Sequence, residues 1–440
     1  MALNPANPGD IKEFRISSNT NNASIDIGPS ISEFRFYESV LSNTITATVV
    51  CVDTGVKAGT EKLEEGSVLD SLPIRGSERA DINVTDMYGN EIKQEMYVNR
   101  VRNADPGTLN ELFVLDFASK EFFANEQQRV VRRYKDAPIS THVKAIGGLI
   151  NMGEMNVDET AGNYNFYGND KKVFYTLTWL ASKAIPAQAG SGSGIAGAAG
   201  FLFYQTALGH WFKSIDNLLK KEPVRKLIYT STVNYDTDTY DTNILSYKIK
   251  SDIDVQQNLS LGVYNNRTIH FDPIGFSYVV QGFDISKQEG NIDVAGDEDL
   301  TTGNLINPQL VQTPSRLMSS VMDVGFNMAG TGDKQIENTL DENDTVVNDK
   351  STKNLVQSIM RYNQIFTIQT EIVIAGDFGI HAGDIVHCDF PAIKGSKQKE
   401  INKLTSGEYL VAHVCHRSTP RDTFTSLTLV RDSFGENKDS

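Results

Sequence analysis

The chain has 440 residues, room for two to four domains at about 150 residues each, and its 22% charged and 9% aromatic residues mark a folded rather than a disordered protein. A net charge of −15 repels phosphate and argues against non-specific nucleic-acid binding. Cys51, Cys388 and Cys415 are too few and too scattered for a disulfide framework. The N-terminus lacks a basic and apolar leader, and no run approaches the roughly 18 apolar residues of a membrane span. These features predict a soluble protein made in a cytoplasm, without stable membrane insertion.

Residues 1–117 read as β-structure. SEFRFYE (32–38) and NTITATVVCVD (43–53) alternate apolar and polar positions, and strands are predicted over 69–74, 81–86, 93–101 and 112–117. MYGN (87–90) and DPG (105–107) punctuate them as turns. This spacing predicts an antiparallel β-barrel or sandwich.

From 118 to 200 the pattern turns helical. Residues 119–133 fit a helix or a mixture of helix and strand. A helix is predicted over 138–150 with Val143, Ile146, Leu149 and Ile150 on its buried side. Another is predicted over 170–183, with Asp170 as N-cap. PAQAGSGSGIAGAAG (186–200) is a low-complexity loop.

GFLFYQTALGHWFKSIDNLL (200–219) predicts an aromatic hairpin, with strands at 201–206 and 210–213, and then a helix capped by Ser214. Phe203, Tyr204, Trp211 and Phe212 are assigned to the domain core or to a subunit contact. Strands follow at 226–232, 244–249, 266–271 and 276–283. Residues 284–355 are long, polar and acidic and predict a solvated, irregular arm. Strands return at 364–374, after a turn near 379–384, and over 407–417 and 423–431.

No catalytic group is assigned. GSGIAG (192–197) matches G-x-G-x-x-G, but no strand–helix pair frames it, so it reads as a loop. His381, His387, Cys388, His413, Cys415 and His416 could meet around a metal if strands 385–390 and 409–417 pair, yet they lack C-x-x-C spacing. Buried cysteines and strand histidines explain them as well, and neither a metal nor a cofactor is predicted. No G-x-S-x-G, H-E-x-x-H or P-loop is present, so the chain is read as structural and not an enzyme.

Several segments together resemble one family. FRFYES (34–39) with VDTG (52–55), SKEF (119–122), the 201–219 hairpin and helix, and GVYNNRTIHFDP (262–273) are similar, in this order along the chain, to segments of baseplate central hub proteins of contractile-tailed bacteriophages. That family is related to the N-terminal part of type VI secretion spike proteins. The resemblance covers roughly 30–280 and 360–432. It implies two tail-tube-like β-domains and two smaller α/β domains. The first tube-like domain spans 1–117 and a small α/β domain spans 118–200. A second, discontinuous tube-like domain spans 201–232 and 360–434, and an inserted domain spans 233–359. The hairpin would then find its sheet partners beyond residue 360.

The resemblance further implies a homotrimer that adapts the sixfold tail tube to the trimeric central spike. Partners would be the tail tube protein, the spike and other baseplate proteins, with DNA passing through a channel without specific binding. The site would be the virion tail baseplate, assembled in the host cytoplasm. A type VI secretion or other contractile-injection spike hub is the alternative reading, followed by a tail-tip cell-wall hydrolase. Acidic residues on the channel wall, and contacts to neighbours from 55–66 and 284–355, are further expectations.

Overall fold

The computed structural model describes residues 8–20, 23–53, 72, 74–106, 110–187, 199–229, 243–251, 255–272, 277–284, 295–296, 314–321, 358–392 and 401–435. The Gly-rich 188–198 loop, 54–71 and most of 284–355 lie outside these residues. The expected strand at 69–74 falls there too, apart from Leu72, which is buried in the core, and Ile74.

Most described strands join one thirteen-stranded sheet. Its order reveals a repeat. In the first half, Ile31–Ser39, Thr46–Asp53, Glu111–Ala118, Glu91–Pro106 and Arg79–Thr85 are successive neighbours, all antiparallel. In the second half, Ile244–Ser251, Ile368–Ala375, Thr423–Arg431, Gly407–Ser418 and Ile385–Asp389 follow the same spatial and chain order.

The irregularities match as well. An extra residue between Ile31 and Glu33 corresponds to one between Ile244 and Ser246. The bulge between Val98 and Arg100 corresponds to that between Val411 and His413. A shared register and shared bulges define a structural repeat, because each bulge reverses which side chains face the core. The repeat stops at the next strand. Asp10–Ser17 runs antiparallel to Arg79–Thr85, whereas Arg225–Ile228 runs parallel to Ile385–Asp389.

Each half buries one face. Alternation puts Ala47, Val49 and Cys51 inward from Thr46–Asp53, and Ile368, Ile372 and Ile374 inward from Ile368–Ala375. The first core gathers Phe14, Phe34, Phe36, Phe113 and Phe117, with Phe14 edge-on to Phe34 and Phe117. The second gathers Tyr204, Leu218, Ile372, Val386, Tyr409 and Leu427.

A third core lies in the middle of the chain, around the helices Ile139–Gly147 and Val173–Ala181. The second of these starts later than its sequence pattern suggested. Asp170 has φ 56° in a left-handed turn, and Lys172 is the N-cap, without a side-chain capping bond. Other elements escaped the sequence pattern. Asp10–Ser17 is a strand, Val255–Leu261 a helix, and 358–364 is helical ahead of the strand at Ile368. Arg316–Val321, inside the run predicted to be irregular, pairs in parallel with Asn265–Asp272. A parallel partner some fifty residues away leaves no local turn signature.

The hairpin forms as its sequence predicts, Phe201–Thr206 against Gly209–Ser214, and Ser214 caps the helix Ile215–Leu219 through Asn217 N–H. Its sheet partner overturns the expectation: Gly209–Ser214 pairs in parallel with Met155–Val157, not with a strand beyond 360. The cause is its two faces. Phe201, Phe203 and Phe212 enter the helical core, while Leu202 and Tyr204 enter the second β core. The hairpin is thus hydrogen-bonded to the middle unit and packed against the second β-unit as well.

Arg361 fixes that second attachment. Fully buried, its guanidinium donates to Asp216 Oδ1 at 2.7 Å and to Asp432 Oδ2 at 2.6 Å. Asp216 lies on the helix after the hairpin and Asp432 follows the last strand. Arg361→Met would strand two buried carboxylates without their cation. The expected loss is about 3–5 kcal/mol in urea unfolding, and a loss under 1 kcal/mol would show that the triad does not hold the hairpin to the second β-unit.

Candidate functional site

The two β-repeats meet along one line. His413–Ser418 pairs antiparallel with Phe34–Ser39, placing Cys415 opposite Tyr37 and Arg417 opposite Arg35. Ala412 O accepts the Val40 amide at 2.9 Å just beyond. The two edges come from different strand positions of the repeat: the fourth strand in chain order of the second unit meets the first strand of the first unit. The junction is therefore heterologous.

Glu38 anchors this seam from the core side. Its side chain is fully buried, and the carboxylate accepts the Ala207 amide at 2.7 Å, the Ala382 amide at 3.0 Å and His381 Nδ1 at 3.1 Å. One side chain thereby ties together the first β-unit, the hairpin turn and the loop before Ile385. Behind the loop, Phe378 lies edge-on to the buried His416, whose Nδ1 bonds Thr425 Oγ1. Gly383, with φ +88°, lets the loop pass Tyr204: a Cβ there would fall 2.2 Å from the tyrosine oxygen.

The open face of the sheet is polar and charge-paired across the seam. Glu33 accepts from both Arg35 and Arg417. Arg102 pairs with Asp116 at 2.7 Å, and Lys250 pairs with Glu371. A groove of about 390 Å3 crosses the seam, lined in part by Tyr37, Thr46, His413, Cys415 and Thr428. This face mixes both signs, so the charge of −15 is not concentrated on it.

The residues singled out from sequence separate clearly. Phe203, Tyr204 and Phe212 are buried within the chain, and Trp211 is half-buried with its indole N–H on Thr206 Oγ1 at 2.8 Å. The strand around 385–390 does pair with that around 407–417, but through Cys388 opposite Gly407. His381 is held by Glu38, His387 by Asp389, His416 is buried, and His413 and Cys415 face the open side. Among the described residues no three His, Cys, Asp or Glu side chains are grouped to hold a metal ion. No described helix is long and apolar enough to cross a membrane. The residue that sequence reasoning missed is Glu38. Its parity with the buried Phe34 and Phe36 places it on the core face, but the groups that satisfy it lie far along the chain, at Ala207, His381 and Ala382.

The two seam histidines titrate in opposite senses. Burial lowers the His381 pKa, but the hydrogen bond and charge of Glu38, with Asp384 and Asp377, outweigh it and the net shift is upward. That stabilisation is complete below the unfolded value near 6.5 and fades as pH rises through the folded one. Burial pushes His416 down to about 4. The native chain there refuses a proton that the unfolded chain accepts, so stability is full above about 6.5 and falls toward pH 4. Urea unfolding at pH 7 and 4.5 is expected to show a smaller acid loss for His416→Asn than for the wild type, by about 2–3 kcal/mol. Equal losses would contradict a neutral His416. At pH 7, Glu38→Ala is expected to cost about 2–4 kcal/mol, since it leaves buried amides without an acceptor.

No protein-family model matches the sequence, and no curated protein does. Among solved structures, the 43 kDa tail protein of prophage MuSo2 from Shewanella oneidensis is similar over 96% of this chain and 99% of its own, with a TM-score of 0.52 at 8% identity. The tail protein from Neisseria meningitidis MC58 is similar over 96% of both chains, with a TM-score of 0.48 at 12% identity. An Escherichia coli component of the type VI secretion system is similar over 97% of this chain and 77% of its own, with a TM-score of 0.42 at 7% identity. The chain has the fold of the MuSo2 prophage tail protein.

Proposed function

We propose that this chain is a structural hub in the baseplate of a contractile injection machine, most specifically that of a phage tail. Three copies form a ring of six β-units, which docks a sixfold tube on one end and a threefold spike on the other. The observation that carries the reading is the internal repeat joined by a heterologous strand seam. Two equivalent units in one chain let a threefold assembly present six similar surfaces, which is what matching a sixfold partner to a threefold one requires.

The fold shared with a prophage tail protein supports this reading. So does the site chemistry. His381, His387 and His416 are held by hydrogen bonds, Cys51 and Cys388 are buried, and the buried ion groups hold units together. The role is mechanical, with no turnover. A spike hub of a type VI secretion device would use the same ring, and the fold does not separate the two. The mixed charges of the open sheet face suit a channel wall over which DNA slides: Arg35, Arg417, Arg102 and Lys250 each already have a carboxylate, which weakens their hold on phosphate.

Multi-angle light scattering tests the assembly. The expected particle has three times the 48.6 kDa chain mass, and a monomer that persists at high protein concentration would contradict the hub reading. The same preparation is expected to leave peptidoglycan uncut.

A further inference from the structure

We infer that copies of this chain join through two sheet edges that the repeat leaves open: the outer edge of Glu91–Pro106 from residue 99 onward in one protomer, and the outer edge of Ile244–Ser251 in the next. The inference rests on the ring proposed above and assigns its interface.

The two β-units are equivalent strand by strand. Within the chain, the late half of Gly407–Ser418 has Thr423–Arg431 on one side and the seam strand Phe34–Ser39 on the other. The early half of the same strand pairs with Ile385–Asp389. Glu91–Pro106 is built alike. Its early half pairs with Arg79–Thr85 and its late half with Glu111–Ala118, the bulge falling in the same place. Yet no described strand lies on the far side of its late half. Likewise Phe34–Ser39 is paired on both sides, whereas its equivalent Ile244–Ser251 has a described sheet partner, Ile368–Ala375, on one side only. One copy of the junction is closed inside the chain. Among the described residues the two halves of a second copy have no strand beside them and lie at separate places, where another chain can bring them together.

The internal seam sets the register. Val414 opposes Glu38, Cys415 opposes Tyr37 and His416 opposes Phe36. Carried across the repeat, Val101 opposes Ser251, Arg102 opposes Lys250 and Asn103 opposes Ile249. Arg102 against Lys250 places two cations together, as the seam does with Arg417 against Arg35. The seam bridges its pair with Glu33. At the open edges Asp116 already holds Arg102 and Glu371 already holds Lys250. Because the edges are unlike, the contact is heterologous, which is compatible with a closed ring and not with a two-fold dimer.

Disulfide trapping tests this. Arg102→Cys and Lys250→Cys are combined in a Cys415→Ser background, since Cys415 shares the open face while Cys51 and Cys388 are buried. Both replaced side chains are exposed. Mild oxidation is expected to give a covalent ladder ending at a trimer, at least tenfold more than either single variant gives. The pair Arg100→Cys with Lys250→Cys, two residues out of register, is expected to cross-link less. Intact rings by light scattering without cross-linking of the Arg102 pair would overturn the assigned edges and leave the ring standing. Equal yield from the displaced pair would overturn the register. Cross-linked dimers from a single variant would overturn the heterologous contact, and a monomer in light scattering would overturn both the ring and its interface.

Discussion

One run of backbone pairing organises this molecule. Where His413–Ser418 meets Phe34–Ser39, two sheets that could each stand as a separate unit become one. Strand edges carry unpaired N–H and C=O groups that must find partners or water. Here the edge of the second unit satisfies the edge of the first across a sequence separation of nearly four hundred residues. The buried Glu38 carboxylate, the loop through His381 and Gly383, and the turn of the aromatic hairpin reinforce that line, and Asp86 and Asn90 add further ties to Phe378 and Asp377.

The hairpin is a wedge. Its alternation serves two cores at once, with phenylalanines into the helical unit and Leu202 and Tyr204 into the second β-unit. Arg361 then clamps the following helix against the end of the last strand. An ion triad with no exposure adds little net stability over an apolar substitute. Its strength is directional, since misplacing any of the three groups leaves a buried charge without a partner. In the ring proposed above, fixed unit geometry would matter more than surplus stability.

Much of this was legible in the residues. Alternation located the paired strands of both β-units, and Ser214 marked its helix. The aromatic hairpin stood out before any fold was known. What sequence could not show was pairing. The hairpin's partner, Met155–Val157, is three residues long and parallel, too short to leave a periodic trace. The repeat was equally hidden, because its units share register and bulges while their residues differ: Phe34 stands where the other unit has Tyr247, and Cys51 where it has Ile374. Glu38 was missed for a related reason. It shares the face of Phe34 and Phe36, but the amides and the histidine that satisfy its carboxylate lie far along the chain and leave no local sign.

In the ring proposed above, the junction inside the chain is the model for the junction between chains. Electron micrographs of the purified protein viewed down the ring axis address this most directly. Six evenly spaced lobes around a central opening, alternating in only their outer features, are the predicted view. Three lobes with no sixfold modulation, or a solid particle without an opening, would contradict it.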